Sequence, residues 1–252
     1  MRIKLGIPLE LSEVVEATRG RLNEKCHKSK IKFLSTDTRE LEPGDLFVAL
    51  RGERYDGNDF IKYAKERGAI TLGDDISADI LTKFGNASLL FLASYFKNKL
   101  KRLKYTIAIT GSVGKTTTKE FTKILLSTQY SVHSTPQNYN NLIGMPLTLL
   151  SAPADTEILI LEMGMNRLGE ISQMSKCAKP DIALITNIGT AHIGNLGSKE
   201  NISKAKKEIF DGMTDGEKII PYGEELLSNI ENATYFSTVY EDADVFINKL
   251  DK

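Results

Sequence analysis

A short glycine-rich turn between an apolar run and a helical run constrains the fold of this chain more than any other feature. The stretch AITGSVGKTTTKE covers residues 108–120; it follows the apolar run YTIAI and leads into FTKILL. Glycines let a backbone turn tightly with its N–H groups inwards, the next helix begins with a partial positive charge, and a lysine adds a full one. This combination is typical of a phosphate-binding loop (P-loop) that joins a buried strand to a helix.

The loop lacks one residue of the usual pattern G-x-x-x-x-G-K-[ST]. Ile109 stands five residues before Gly114, where that pattern has its first glycine, and G-x-x-G-K-T remains. A match this short is also compatible with an ordinary strand–turn–helix corner. The flanking apolar and helical runs favour nucleotide binding. We predict that the ATP-binding residues are Gly111, Ser112, Val113, Gly114, Lys115, Thr116 and Thr117.

Composition and charge narrow the class of protein. The chain has 252 residues, of which 41% are hydrophobic and 26% charged, which is typical of a globular protein of about two domains. Its 33 basic and 33 acidic residues balance, so neither a nucleic-acid nor a membrane partner is expected. Cys26 and Cys177 match no metal or redox spacing and are interpreted as free thiols. With no signal peptide and no membrane-spanning run, we expect a cytoplasmic protein.

The order of apolar and helical runs predicts an α/β protein with two domains. Residues 1–82 are predicted to form a small α/β domain, with strands at IKFLSTD and DLFVAL. Residues 83–252 are predicted to form a P-loop domain with strands YTIAIT, SVHS, EILILE, DIALITN and EKIIPY. Near-continuous apolar strands between helices indicate a mostly parallel sheet covered by helices on both faces.

Polar residues close several of these strands, at the edge where parallel sheets bind ligands. Glu162 ends EILILE, Asn187 ends DIALITN, and His192 follows five residues later. Taken singly, Glu162 is compatible with a satisfied loop carboxylate and His192 with a structural histidine. Beside a P-loop a common role at the nucleotide is favoured for both residues, because a nucleoside triphosphate binds together with Mg²⁺. We predict Thr116 and Glu162 as oxygen ligands of that ion.

Five segments together resemble the Mur ligase family of peptidoglycan synthesis. They are STDTRELEPGDLFVALRGERYDGNDF, ITGSVGKTTTKE, TPQNYNNLIGMPLTLL, EMGMNRLGEI and ITNIGTAHIGNLGS with AKKEIF. The resemblance runs from about residue 35 to residue 210. The missing first glycine fits it, because these ligases resemble T-G-[ST]-x-G-K-[ST] at the loop. Within the family, EMGMN and GEI favour the ligase that uses the UDP-N-acetylmuramoyl-tripeptide.

The resemblance implies an ATP-dependent amide ligase, acting as a monomer. The carboxylate of the UDP-N-acetylmuramoyl-tripeptide takes the γ-phosphate of ATP to give an acyl phosphate, which the amine of D-Ala-D-Ala then attacks. By the same resemblance, Lys115 neutralises phosphate charge while Thr116 and Glu162 hold one Mg²⁺. His192 helps to hold a second Mg²⁺.

Two further groups of residues are assigned to substrate binding by the resemblance. Asn138 and Asn141 are expected on the muramoyl or phosphate side, with loop-capping asparagines as the alternative. The segment STDTR resembles the part that grips UDP; the alternative is a strand-end turn with Arg39 in a surface ion pair. Its residues are Ser35, Thr36, Asp37, Thr38 and Arg39.

One lysine of the segment SKENISKAKKEIFDGM receives a specific role. At 100° per residue Lys206 lies about 40° from the apolar Ile202, whereas Lys204 and Lys207 point to solvent. The simple interpretation is that its amine reaches solvent or pairs with a carboxylate. The family pattern A-K-x-x-I-[FY], however, is matched from Ala205 to Phe210. The resemblance then implies that Lys206 is carbamylated by CO₂ and joins His192 at the second Mg²⁺.

The resemblance also sets expectations about length. Family members carry a third, C-terminal domain that holds the incoming amino-acid substrate and closes over ATP, and this chain ends at residue 252, within the predicted central domain. We therefore expect a truncated protein that alone binds nucleotide weakly or not at all and is inactive as a ligase. The alternatives are another Mur-type ligase, or a truncated, non-catalytic nucleotide-binding module.

Overall fold

The chain folds into two compact α/β units. The computed structural model describes residues 1–23, 29–190 and 193–247. The first unit comprises Met1–Lys101 with Leu149–Ala154, and the second comprises Arg102–Thr148 with Asp155–Lys252. The α/β class predicted from the sequence is confirmed in both units.

The first unit contains a mixed sheet in the order β1-β3-β4-β5-β6-β2. Strands β3 to β6 are parallel, whereas β1 pairs antiparallel with β3 and β2 antiparallel with β6. The strands are β1 (Arg2–Glu10), β2 (Arg21–Leu22), β3 (Lys30–Ser35), β4 (Leu46–Val48), β5 (Ile70–Gly73) and β6 (Ile80–Leu81). The helices are α1 (Leu11–Ala17), α2 (Ile61–Glu66) and α3 (Ala87–Lys97), with 3-10 turns at Thr38–Glu40 and Gly57–Phe60.

Helix α3 belongs to this first unit, which moves the predicted boundary between residues 82 and 83 to Lys101. The helix buries Leu89, Leu92 and Phe96, and Lys99, just after it, forms an ion pair with Glu13 of α1. The prediction erred because an apolar helix next to a linker can cover either neighbouring sheet. Its sequence does not say which one.

The second unit contains an all-parallel sheet in the order β13-β12-β11-β10-β7-β9-β8. The strands are β7 (Tyr105–Thr110), β8 (Val132–Ser134), β9 (Ile158–Glu162), β10 (Ile182–Ile185), β11 (Glu217–Pro221), β12 (Ala233–Ser237) and β13 (Val245–Phe246). The helices are α4 (Lys115–Leu126), α5 (Gly144–Leu150), α6 (Glu170–Ala178), α7 (Ile193–Leu196) and α8 (Lys199–Lys207). Short 3-10 turns follow at Glu208–Phe210 and Glu225–Leu227.

The register of three central strands positions the candidate site. Strand β7 lies between β9 and β10, with Ile109 opposite Glu162 and Thr110 opposite Ile185. The carboxyl ends of the three strands therefore meet at one edge of the sheet. Their apolar side chains bury the strands between the helices, as the near-continuous apolar runs predict. No helix in the described segments has the length and hydropathy that a membrane span requires.

Candidate nucleotide and metal site

The turn after β7 has the geometry of a phosphate loop. Gly111 and Gly114 have φ angles of 152° and 82°, a region that L-residues with side chains rarely adopt. A Cβ atom on Gly111 would lie 1.8 Å from the hydroxyl oxygen of Thr186. Lys115 begins α4, and its Nζ donates a hydrogen bond of 2.8 Å to the carbonyl of Gly111. The turn thus curls around its own lysine at the N-terminus of a helix, whose first N–H groups have no partner within the helix.

The segment after β10 holds this loop from the other side. The Thr186 hydroxyl and the Asn187 side-chain amide donate to the carbonyl of Val113, at 2.6 and 3.0 Å. The N–H of Val113 donates to the Asn187 Oδ1 atom at 3.1 Å, and the N–H of Gly189 donates to the Ser112 hydroxyl at 2.8 Å. The loop is therefore fixed by the protein itself, as preorganised electrostatic sites require. The sequence marked Asn187 as a strand end but did not predict this role.

Glu162 and Thr116, predicted as metal ligands, lie together at the end of β9. The Thr116 hydroxyl donates to Oε2 of Glu162 at 2.9 Å, and the Asn140 side-chain amide donates to Oε1 at 2.8 Å. The Glu162 N–H donates to the hydroxyl of Thr135 at 2.9 Å. A hydroxyl and a carboxylate side by side are the hard oxygen ligands that Mg²⁺ prefers. These donors fit Mg²⁺; Asn140 and Thr135 were not identified from the sequence.

In the described ranges, no group of three or more histidine, cysteine, aspartate or glutamate side chains is arranged so that it could hold a metal ion by itself. Mg²⁺ is usually bound through one or two carboxylates together with phosphate oxygens and water. A single carboxylate beside a P-loop is therefore compatible with a magnesium–nucleotide site. His192, predicted as a ligand of the second Mg²⁺, lies outside the described residues.

Two lysines give the site an unusual electrostatic character. Burial lowers the pKa of Lys115, and the charge of Glu162 opposes that effect. Lys206 is only 2% exposed; burial, assisted by the charge of Lys115, lowers its pKa from 10.5 to about 7. Lys204 is exposed and Lys207 half-buried, so the helical periodicity ranked these three lysines correctly. With such a pKa, about half of the Lys206 amines are uncharged at neutral pH, whereas an ordinary lysine is almost entirely protonated there.

A carboxylate two residues beyond Lys206 links two of the sequence motifs. Glu208 accepts hydrogen bonds from the N–H groups of Gly169 (2.7 Å) and Ser172 (3.2 Å) and so caps the N-terminus of α6. Gly169 has a φ of 87°, which favours glycine at this position. The segment AKKEIF is thereby anchored to the start of GEI. The two hydrogen bonds span 39 and 36 positions of the chain, so no local sequence pattern predicts them.

The asparagines assigned to the substrate differ in their contacts. The Oδ1 atom of Asn141 accepts hydrogen bonds from the N–H groups of Ile143 (3.0 Å) and Gly144 (2.8 Å), which is the loop-capping alternative. Asn138 is exposed, and its carbonyl accepts from the N–H of Asn140. A substrate role for either residue stays a prediction.

The segment from Ser35 to Arg39 forms a turn at the end of β3. Arg39 is exposed and its Nε donates to Asp37 at 2.9 Å; that side-chain hydrogen bond is the main cause that holds the pKa of Asp37 well below its usual range. The Ser35 hydroxyl is buried and accepts from the N–H of Asp37 at 3.0 Å. These contacts match the strand-end turn with a surface ion pair. UDP binding by Ser35, Thr36, Asp37, Thr38 and Arg39 stays a prediction.

A parallel sheet whose central strand runs into a glycine–lysine turn and a helix defines the class of P-loop proteins. Comparison with known families makes the assignment specific. The pattern of the Mur ligase middle domain matches residues 109–247, and that of the Mur ligase family, catalytic domain, matches residues 30–81. The chain belongs to the Mur ligase family.

Individual relatives agree with this assignment. The chain is 41% identical over 245 residues to the UDP-N-acetylmuramoyl-tripeptide–D-alanyl-D-alanine ligase of Bacillus subtilis, covering 92% of this chain and 53% of the relative. A crystal structure of MurF from Acinetobacter baumannii superposes with a TM-score of 0.87 at 31% identity, over 99% of this chain and 57% of that one. MurF from Thermotoga maritima, solved in complex with ADP, gives 0.72 at 34% identity, over 81% and 49%. The chain thus spans about half the length of the relatives it matches.

Proposed function

We propose that this chain carries the nucleotide-binding half of an ATP-dependent amide ligase that joins D-Ala-D-Ala to the UDP-N-acetylmuramoyl-tripeptide. The observation that carries the proposal is the hydrogen bond from Thr116 to the buried Glu162, next to a preformed P-loop. The relatives named for this reaction and the relative solved with ADP support it. The predicted cytoplasmic location and monomeric state stay predictions.

Each residue of the site has a task in this reaction. Lys115 and the N-terminus of α4 hold the β- and γ-phosphates, because they supply a charge and N–H donors at one point. Thr116 and Glu162 would hold Mg²⁺, and the bound ion would supply positive charge beside the phosphates. Phosphorylation converts the carboxylate oxygen into a good leaving group. The amine of D-Ala-D-Ala can then displace phosphate and form the amide bond.

Lys206 is proposed to act as a carbamate. Its uncharged amine adds to CO₂, forming a C–N bond and releasing one proton, and the product is an anionic group with two oxygens. Burial supplies the free amine, because it penalises the ammonium form, and the nearby charge of Lys115 disfavours the ammonium and favours the anionic product. The carbamate oxygens and His192 would hold the second Mg²⁺, whose ligands need to be oxygen-rich.

A nucleotide titration of the present chain tests the first half of the proposal. Millimolar ADP with Mg²⁺ should shift the backbone amide resonances of the P-loop, from Gly111 to Thr117, even where binding is weak. The variant Lys115→Ala should lose these shifts while remaining folded, and Lys207→Ala should keep them. If ADP neither moves the P-loop resonances of the wild-type chain nor binds to a fusion of this chain with the remaining half of a relative, nucleotide binding at this site is contradicted.

A chimera tests the reaction itself. The chain is joined to the remaining half of the Bacillus subtilis relative, and ADP release is measured with the UDP-N-acetylmuramoyl-tripeptide and D-Ala-D-Ala, each omitted in turn. We expect release only when both are present. Release without D-Ala-D-Ala, or with a different UDP-linked peptide only, would favour another Mur-type ligase. A chimera that binds ADP but forms no ADP from ATP under any of these conditions would favour the non-catalytic nucleotide-binding module.

A further inference from the structure

Helix α4, described in full, has an inverted pattern of burial. Its one buried residue is Lys119, which is 0% exposed, whereas Phe121, Ile124 and Leu125 are 63%, 62% and 70% exposed. An amphipathic helix normally turns its apolar side chains inwards and its lysines outwards. Because burying an ammonium group costs free energy, the position of Lys119 requires an explanation other than amphipathicity.

The contacts of the Lys119 ammonium show what it holds. Its Nζ donates to the backbone carbonyl of Thr135 at 2.7 Å and lies 3.0 Å from a carboxylate oxygen of Glu120. Glu120 is 51% exposed, so the carboxylate lies at the surface while the carbonyl is inside. Direct contact between this ammonium and a bound nucleotide is excluded in this structure, because the side chain is fully enclosed. The enclosed end of Lys119 is therefore directed at Thr135.

Thr135 connects Lys119 to the candidate metal ligand. Thr135 is fully buried, and its hydroxyl accepts the hydrogen bond from the N–H of Glu162 at 2.9 Å. Its own N–H donates to the carbonyl of Ile160 at 3.0 Å. Fixing the Thr135 carbonyl therefore also fixes the hydroxyl that holds the Glu162 backbone.

Thr116 and Lys119 stand three residues apart on α4 and thus on one side of the helix. Thr116 contacts the carboxylate of Glu162, and Lys119 acts on the Glu162 backbone through Thr135. Helix α4 therefore holds both the side-chain carboxylate and, through Thr135, the backbone of Glu162. Such a double hold sets the direction of a carboxylate more narrowly than one contact could.

We propose that Lys119 is a positioning residue, which orients the carboxylate of Glu162 towards Thr116 by anchoring Thr135. The link between Lys119 and the Glu162 backbone is independent of the reaction. Its consequence for Mg²⁺ rests on the proposed function, in which Glu162 and Thr116 are the ligands.

Amide hydrogen exchange of the present chain tests the link without any ligand. Lys119→Met keeps an unbranched side chain but removes the ammonium, Thr135→Val removes the hydroxyl, and Glu120→Gln serves as control because it leaves the bond to the carbonyl intact. In the first two variants we expect the Glu162 amide to exchange about tenfold faster than in wild type, with the amides of Ile158 and Ile160 unchanged. Glu120→Gln should exchange as wild type does.

Two results would overturn the link. One is an unchanged Glu162 amide in folded Lys119→Met. The other is an equal acceleration along the whole of β9, which would mean only that the protein is less stable. If Lys119→Met does not fold, Lys119→Arg replaces it: this variant retains a donor, and wild-type exchange at Glu162 is then expected.

A titration with ADP, with and without Mg²⁺, tests the consequence. Lys119→Met should bind metal-free ADP within about twofold of wild type and lose about tenfold of the affinity that Mg²⁺ adds. Lys119→Arg should recover part of that loss. An equal loss with and without Mg²⁺ would contradict a role in metal binding. If neither the wild-type chain nor the chimera binds ADP, the nucleotide assignment fails, whereas the exchange experiment still decides the positioning link.

Discussion

Two buried lysines, on helices α4 and α8, lie in the second unit in different surroundings. Lys119 is fully buried and its ammonium has two partners, the Thr135 carbonyl and the Glu120 carboxylate. Lys206 is 2% exposed, and the charged group that acts on its pKa is another cation, Lys115. The side chain of Lys119 thus lies between two oxygen partners, whereas burial and the charge of Lys115 lower the pKa of Lys206. Burial alone does not reveal which role a lysine has; its partners do.

The largest effect that distinguishes Lys206 from other lysines of the chain is expected in the rate of turnover. In the chimera, Lys206→Ala should lower ADP release by about ten-thousandfold, because it would remove the carbamate proposed to hold the second Mg²⁺. Lys204→Ala and Lys207→Ala should change it less than about threefold, since neither amine is enclosed. Steady-state assays of the three variants decide this. Full activity of Lys206→Ala, or a large loss in Lys207→Ala, would show that the carbamate is assigned to the wrong lysine.

The pH dependence of stability should also distinguish the two regions. The folded chain keeps Lys206 at a pKa of about 7, below the 10.5 of the unfolded chain. Between these values the unfolded state binds the additional proton, so the free energy of unfolding rises with pH, by up to about 4–5 kcal/mol. Urea unfolding in CO₂-free buffer should show this rise for wild type but not for Lys206→Met. Equal slopes in the two proteins would mean that Lys206 is not desolvated in solution.

Truncation of Lys119 should lower the free energy of unfolding, whereas replacement of Lys206 should not. Lys119→Ala leaves a cavity and an unsatisfied buried carbonyl at Thr135, and we expect a loss of about 2–3 kcal/mol in the free energy of unfolding. Lys206→Met at pH 7 should be neutral or stabilising, since it removes a group whose charged form is penalised. Chemical denaturation of the two variants side by side measures the contrast. A stabilising Lys119→Ala would indicate that its ammonium is poorly paired.

The smallest effect concerns how α8 is anchored. The lysine of α4 fixes its neighbours through its own ammonium, whereas near Lys206 the anchor is Glu208, which caps α6. Glu208→Ala should lower the free energy of unfolding by about 1–2 kcal/mol, as for other helix caps, while Lys204→Ala stays within about 0.5 kcal/mol. Thermal unfolding of both variants provides the comparison. Equal stability of Glu208→Ala and wild type would show that the Glu208 cap of α6 does not stabilise the protein.

Much of the architecture follows from local patterns in the sequence. The parallel sheet of the second unit, the P-loop after β7 and the strand-end positions of Glu162 and Asn187 were predicted from apolar runs and their polar ends. The ends of helices follow less well: α8 ends at Lys207, within the segment SKENISKAKKEIFDGM, and the run EELLSNI contains only the 3-10 turn Glu225–Leu227. Helical periodicity says which face is apolar but sets the helix ends poorly, because tertiary contacts such as those of Glu208 decide them.

The sequence by itself determined the class of site and placed Lys206 at the edge of a buried helix face, because a turn, a strand end and a helix face are each set by residues near in the chain. Only the tertiary structure decided that Lys119 lies inside, that Asn140 and Thr135 hold Glu162, and that Glu208 caps α6. These contacts join residues 16 to 39 positions apart. Their partners come together only once the strands have taken their order in the sheet. A period of 3.6 residues describes one helix and carries no information about which carbonyl or carboxylate another element will place beside it.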